Sequence, residues 1–493
     1  MTAAAALNDH LRQISAMGRV AGLLGWDMET QMPRRGAAQR AEEAGAVARA
    51  LHALEVDPAL AEAADAAEAA GADPVTAVQV AEARRIHGRA TRVPAALAAA
   101  LAATTAEAQT IWEQARAARR FADFAPALDR VLRLKRDEAE CLAREAVDGY
   151  DALLDEHEPG MTAAAAAGLF AALRPGLVEL RARLTDGGGA APRLEGHFPK
   201  EQQIALSRRI AGALGYDWEA GRIDLAVHPS CSGTFGDVRI TTRIDEADPL
   251  GSIYSTIHEV GHALYEQGLD PETGLTPAGQ FASMGVHESQ SRLYENQIGR
   301  SRAFAEWLYP LLVETFGPLS LDSPDALFRA VNRVETGFIR TEADEVHYNL
   351  HIMLRFDLER ALIAGDLDVD GLEAAWNDRF EADFGIRPPD AAMGVLQDVH
   401  WSVGAFGYFP TYTFGNVYAA TLDAALRTDV PDLDSRVATG DFAPALAWLR
   451  PRIHRRGRML PPARLIAEAA GREARPEALV AALKAKFEPL YRP

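Results

Sequence analysis

Apolar residues recur at spacings of three and four through nearly all of the first 185 positions, where Ala, Leu, Glu and Arg dominate, so this region is predicted to be a run of amphipathic helices. Residues 57–72 are rich in Ala and Glu but read as helix rather than disorder. No repeat of fixed period is visible. Two stretches break the pattern. Residues 24–33, with Trp26, Asp27 and Pro33, read as a polar and aromatic turn between helices, and residues 150–160, ending in Glu158-Pro159-Gly160, read as a second. Each is either a capped interhelical turn or part of a cleft wall. Asp186-Gly187-Gly188-Gly189 opens the clearest flexible stretch. It marks 186–199 as a possible hinge loop within a single unit, between an N-terminal helical region (1–185) and the rest of the chain (200–493).

The period changes to two at residues 237–244. Val238, Ile240, Thr242 and Ile244 share one face of a predicted strand, and Asp237, Arg239, Thr241 and Arg243 share the other. Such a strand either receives an extended peptide as an added strand or is an amphipathic edge strand with solvated arginines. Helical spacing returns over 251–267 and over 338–364, where Arg340, Asp344, His347 and His351 form one stripe. His347 and His351 have the spacing of a metal pair but no adjacent base. Arg340 with Asp344 reads as a surface pair worth about 0.3 kcal/mol. Residues 394–412, dense in Gly, aromatic and polar residues, read as a loop that builds a site or supports the core, and helix is expected again from Tyr418. Arg450, Arg452, His454, Arg455, Arg456 and Arg458 read as a solvated or interface face.

The candidate chemistry lies in the helix over 251–267, which carries His258-Glu259-Val260-Gly261-His262, an H-E-x-x-H pattern. Four helical residues advance the chain by about 400°, so the two imidazoles stand one turn apart on one face and can grip one metal ion. Glu259, beside the first ligand, can reach a metal-bound water without being a ligand itself. With 13 His in 493 residues, composition alone yields about 0.05 such patterns, so an accidental pair of histidines is the weaker reading. Catalytic zinc commonly takes two His and one Glu. Glu288, in His287-Glu288-Ser289-Gln290, is the strongest candidate for the third ligand, because Gly268, Pro271, Gly274 and Pro277 allow the chain to loop back between. Glu295 is the alternative, and His287 reads as a neighbour of the site rather than a ligand.

The length is enough for a large core. The net charge of −19 argues against nucleic acid and anionic membranes as partners. An anionic substrate would then need arginines concentrated at the site. Cys141 and Cys231 are too few for a disulfide framework and fit a reducing compartment. Asp9, Arg12 and Arg19 interrupt the first twenty residues, so no signal-peptide core is expected, and the apolar run 161–173 is too short to span a bilayer. The expectation is a soluble, cytoplasmic protein.

The chain resembles the carboxypeptidase Taq family of zinc metallocarboxypeptidases through most of its length. Five of that family's motifs stand in order: Asp237-Val238-Arg239-Ile240-Thr241, His258 to His262, His287-Glu288-Ser289-Gln290, Ile339-Arg340-Thr341-Glu342-Ala343-Asp344, and Gly394 to Trp401. The segments at Trp26-Asp27, Glu158-Pro159-Gly160 and Ile453-His454 also look like the family. His347 departs from an expected Thr, and Val403 and Ala405 replace a more polar pair. The resemblance implies a mainly α, zincin-like fold with a deep cleft and a small β-sheet beside the HExxH helix, and a homodimer. It implies Glu288 as the third ligand, and Arg239 and Arg340 at the closed end of the cleft, holding the substrate's C-terminal carboxylate.

The expected chemistry follows. The metal acidifies water, Glu259 takes its proton and later delivers it to the leaving amine, and a donor beside the metal, His400 or Tyr412, meets the oxyanion. Arginine suits the carboxylate because its planar fork binds both oxygens. The expected activity is release of C-terminal residues from peptides with a free C-terminus. The cofactor is one zinc ion per chain, with cobalt or manganese as possible substitutes. An endo-acting oligopeptidase with the same centre and an inactive binding or scaffold protein of the same fold are the alternatives.

Overall fold

In the computed structural model, which describes residues 2–143, 148–186 and 191–491, helices dominate and one small sheet interrupts them. In chain order the helices are α1 (Ala3–Thr30), α2 (Ala37–Glu55), α3 (Pro58–Ala69), α4 (Pro74–Arg92), α5 (Ala95–Ala118), α6 (Phe121–Leu142), α7 (Gly149–His157), α8 (Ala163–Asp186) and α9 (Lys200–Leu214). Strands β1 (Gly221–Leu225), β2 (Ser230–Thr234) and β3 (Asp237–Thr242) follow. Then come α10 (Pro249–Glu266), α11 (Met284–Arg292), α12 (Arg302–Phe316), α13 (Pro324–Val331), α14 (Glu345–Ala364), α15 (Val369–Phe384), α16 (Pro410–Asp429), α17 (Leu433–Ala438), α18 (Ala443–Arg452), α19 (Pro462–Ala470) and α20 (Pro476–Tyr491). Asp57, Asp148, Asp248, Ser283, Ser301 and Asp344 cap their helices, each side chain accepting a first-turn backbone N–H that has no partner within the helix.

The chain forms two compact units. Unit 1 comprises Met1–Thr91, Ala191–Val331 and Tyr418–Ala474; unit 2 comprises Arg92–Ala190, Asn332–Val417 and Arg475–Pro493. The N-terminal helical run is thus shared, α1–α4 falling in unit 1 and α5–α8 in unit 2. Of the hinge expected over 186–199, residues 187–190 lie outside the described residues, and 191–199 carry no regular structure.

Unit 1 is built around α10. Ile253, Ile257, Val260 and Leu264 are fully buried along it. Against α10 pack α9, α11 and strands β2 and β3. Hydroxyls fasten β3 to the helix: Thr256 donates to Thr242 at 3.1 Å, and Thr242 and Ser255 share a bond of 3.2 Å. The strand order is β1-β3-β2, with β1 parallel and β2 antiparallel to β3. The strand predicted over 237–244 therefore ends at Thr242 and is the central one, not an edge. Both its edges are already paired, so it has no free ladder for an added peptide strand.

In unit 2, α14 is the buried helix, with α6, α7, α8 and α15 against it. The segment Ala163–Thr185 is long and apolar enough to cross a membrane, a longer stretch than the run at 161–173. Here Phe170, Leu173, Leu177 and Leu180 form a buried stripe, and Phe170 meets Phe356 of α14 edge-on at 4.9 Å.

Four other expectations are corrected. α1 runs unbroken through Trp26 and Asp27 to Thr30; nothing in 24–30 removes a backbone donor, and the break comes at Pro33. Most of 150–160 is α7, started by the Asp148 cap and stopped at Pro159. The helix expected over 338–364 begins only at Glu345, because Asp344 caps it by accepting from the N–H groups of Val346 and His347. Arg340 therefore lies in a preceding 3-10 turn, off the helical stripe and without Asp344 as its partner. Helix also resumes at Pro410 rather than Tyr418, since proline is tolerated in the first turn.

Candidate metal centre

α10 presents His258 and His262 one turn apart, as the spacing predicts. Glu288 arrives from α11, and Gly261 is the reason it can. A Cβ at residue 261 would stand 2.6 Å from the Cα of Ser291 and 2.7 Å from the carbonyl oxygen of Gln290. Only a residue without one lets the α11 backbone come this close.

The three candidate ligands form a triangle. His258 Nε2 and His262 Nε2 are 3.2 Å apart, and Glu288 Oε2 lies 3.7 Å from the first and 3.5 Å from the second. The centre of that triangle is about 2.0 Å from each corner, the length of a bond from a first-row divalent ion to nitrogen or oxygen. The proton positions agree. His258 Nδ1 donates to Glu295 at 2.8 Å and His262 Nδ1 meets His287 at 2.5 Å, which leaves both Nε2 lone pairs aimed at the same point as a carboxylate oxygen. Two imidazole nitrogens and a carboxylate oxygen converging on one point suit a cation. Burial pushes His262 down to about 3, so its imidazole is neutral and able to ligate.

Glu295, the alternative ligand, serves differently. Leu293–Ile298 is a π turn, with Gly299 N–H donating to Tyr294 five residues back. Glu295 stands on the Nδ1 side of His258 and accepts from it, whereas Glu288 faces the Nε2 atoms. Arg292 ties the two acids together, donating to Glu288 at 2.7 Å and to Glu295 at 3.2 Å; Arg300 adds a bond to Glu295 at 3.2 Å. Burial opposes the charge on both acids, but Arg292 and the neighbouring histidines, with Arg300 added at Glu295, together outweigh it and hold each well below the usual carboxylate range.

Glu259 is buried next to His258. Burial pushes its carboxyl up to about 7; His258 pulls it down, while Glu288 and Glu295 add to the rise. On β3 of the same unit, Arg239 forms a fork with Asp237 at 2.8 and 3.0 Å and lies over the Trp26 ring, 4.2 Å from its centre. Trp26, read as part of a turn, is thus the aromatic platform for one of the two predicted carboxylate-binding arginines.

The remaining candidates gather inside unit 2. Arg340 donates to Asp398 at 2.9 Å and to the Tyr348 hydroxyl at 3.2 Å. Its guanidinium lies 5.0 Å from the centre of the Tyr412 ring. Arg355 donates to the other oxygen of Asp398 at 2.7 Å and, through Nη1, to the backbone of His351. Two buried guanidiniums thus share one carboxylate. His400 Nε2 and the Tyr412 hydroxyl are 3.4 Å apart, and burial, with Arg340 adding to it, lowers His400 to about 3, so it is neutral. His347 and His351 do not form a pair of ligands: His347 bonds Asp344 and Thr336, and His351 stands against Phe384 with both ring nitrogens unpartnered. In the C-terminal basic cluster Arg452 and Arg456 pair with Asp429 and Glu468 at the surface, but His454 is fully buried, its Nε2 3.0 Å from Gln290 Oε1, so the cluster is not one solvated face.

No sequence pattern singles out Asp398, Arg355, Tyr348 or Glu266. Asp398 was visible inside the 394–401 motif, but its two arginine partners are remote in sequence and leave no local signal.

Residues 6–487 match the family described as Carboxypeptidase Taq (M32) metallopeptidase. The chain is 41% identical over 496 residues to thermostable carboxypeptidase 1 of Thermus thermophilus, covering 97% of each, and 35% identical over 494 residues to carboxypeptidase 1 of Bacillus subtilis, covering 98% of this chain and 97% of that one. The crystal structure of an M32 carboxypeptidase from Deinococcus radiodurans superposes with a TM-score of 0.94 at 38% identity, over 98% of both chains. With the H-E-x-x-H helix, the converging glutamate and a likeness that runs nearly end to end, this chain belongs to the carboxypeptidase Taq (M32) family of metallopeptidases.

Proposed function

We propose that the protein is a zinc-dependent metallocarboxypeptidase that releases residues one at a time from the C-terminus of peptides. The observation that carries this is the triangle of two imidazole nitrogens and one carboxylate oxygen, whose centre is about 2.0 Å from each. Two nitrogens and one oxygen at this spacing suit zinc, with cobalt or manganese as substitutes. When bound, the ion supplies a Lewis acid that acidifies water and polarises the scissile carbonyl.

The other roles fall to the chain. Glu259 takes a proton from the attacking water and hands it to the leaving amine; a carboxyl pushed up to about 7 is suited to holding that proton between the two steps. The substrate's C-terminal carboxylate is assigned to Arg239 and Arg340. Supporting this, Asp398 neutralises only one of the two guanidiniums bonded to it, so that set carries a surplus positive charge. A buried surplus charge is costly until an anion meets it, which favours substrates that bring a carboxylate. His400 or Tyr412, whose polar atoms are 3.4 Å apart, is the donor for the developing oxyanion. Two free cysteines fit a reducing, cytoplasmic setting, and a homodimer is proposed from the family resemblance.

The test uses one peptide with a free and with an amidated C-terminus, incubated with zinc-loaded protein and read by mass spectrometry. A ladder losing single residues from the free form alone is expected. Internal cuts in both forms would make it an oligopeptidase, and intact peptides with zinc bound would leave a binding protein of this fold.

A further inference from the structure

His262 differs from His258 in what holds it. His258 donates directly to a carboxylate, that of Glu295. His262 has no carboxylate at its Nδ1. It meets His287 Nδ1 at 2.5 Å, and His287 Nε2 in turn meets Glu266 Oε1 at 3.0 Å. Both partners are buried. If His262 ligates through Nε2, its Nδ1 carries a proton and donates; His287 then accepts at Nδ1, carries its own proton on Nε2 and donates that to Glu266. Each proton position fixes the next. The rings of Phe281, edge-on at 4.9 Å, and Tyr265, at 5.3 Å, hold the His287 imidazole in place. Glu266 lies on α10 one turn beyond His262, and His287 directly precedes Glu288 on α11, so one side-chain chain spans both ligand-bearing helices.

We propose that His287 and Glu266 are positioning residues for the metal: a two-membered imidazole–carboxylate relay that fixes the tautomer and orientation of His262 and tightens zinc binding. The proposal rests on the metallopeptidase reading above. Partners of this kind behind a ligating histidine change metal affinity by about 10–100-fold.

The experiment measures zinc affinity of the full chain by competition with a chromophoric chelator, together with the melting temperature of the metal-free protein. His287→Phe keeps the ring and removes both nitrogens. It is expected to raise the zinc dissociation constant about 10–100-fold and speed zinc release, with the metal-free melting temperature close to that of wild type. His287→Asn restores an acceptor for His262 and should recover part of the affinity, and Glu266→Gln should weaken binding less than His287→Phe does. Wild-type affinity in His287→Phe overturns the relay while leaving the metal site intact. Equal losses in His287→Phe and His287→Asn, with a lowered metal-free melting temperature, also overturn it, since they mark a packing role. A wild-type chain that binds no zinc removes the metallopeptidase reading together with the relay.

Discussion

Substituting Gly261 with Ala tests whether the close approach of α11 to α10 sets the ligand geometry. The new Cβ would stand 2.6 Å from Ser291 Cα and 2.7 Å from the Gln290 carbonyl oxygen. Carbon atoms in ordinary contact sit about 3.5–4.0 Å apart, so α11 must retreat by about 1 Å. Ser291 and Glu288 share α11, so Glu288 Oε2 would move back with it. Its separations from the two imidazole nitrogens, now 3.7 and 3.5 Å, would lengthen by about 1 Å, and the centre of the triangle would recede to about 2.5 Å from each atom. That lies beyond the tolerance of about 0.2 Å that a ligand distance allows. The cost to folding should be smaller. Overpacking costs about 1–3 kcal/mol, and replacing Gly by Ala inside a helix returns about 1 kcal/mol. Gly261→Ala should therefore lower zinc affinity at least tenfold in chelator competition and reduce peptide turnover at limiting zinc, while the metal-free protein melts within a few degrees of wild type. Wild-type zinc affinity in a folded variant would refute the reasoning, because α11 would then yield without carrying Glu288 away.

Three further outcomes are expected. Glu259→Gln should retain zinc and lose turnover; activity above a few per cent of wild type would remove Glu259 as the base. Arg340→Ala should mainly raise KM for peptides with a free C-terminus, and an unchanged KM in steady-state assays would clear it of the carboxylate role. In unit 2, burial pushes Glu359 up to about 7, against hydrogen bonds from Trp401, Tyr150 and Gly407 that favour its ionised form. Its folded value thus exceeds the usual value of about 4.3 in an unfolded chain, so its contribution to stability is full below about pH 4 and is lost as pH rises through about 7. The stability of wild type minus that of Glu359→Gln should fall by about 3–4 kcal/mol between pH 4 and 8 in denaturant titrations, and a constant difference would refute the assignment.

What the sequence determined by itself is what short-range periodicity and chain chemistry can express. The spacing of His258 and His262 places both on one helical face whatever surrounds them, and Glu259 follows from its position beside the first. Caps such as Asp248 and Ser283 act on the backbone of their own first turn, so the starts of α10 and α11 are local facts. Tertiary structure decided everything that depended on partners remote in sequence. Periodicity shows which residues of β3 share a face, but not that β1 and β2 occupy both its edges. Arg340 and Asp344 sit four apart, as a helical pair would, yet Asp344 is taken as a cap and Arg340 turns to Asp398. Glu288 and Glu295 share nearly one face of an α-helical wheel, and packing against α10 separates their roles, Glu288 meeting the Nε2 atoms and Glu295 the Nδ1 of His258. Even the reach of Glu288 depends on a missing side chain at Gly261, whose meaning appears only when the second helix lies against it. Helical periodicity acts over three or four residues, whereas a site is assembled from donors and acceptors dozens to hundreds of residues apart, and only the packed chain sets the distances between them.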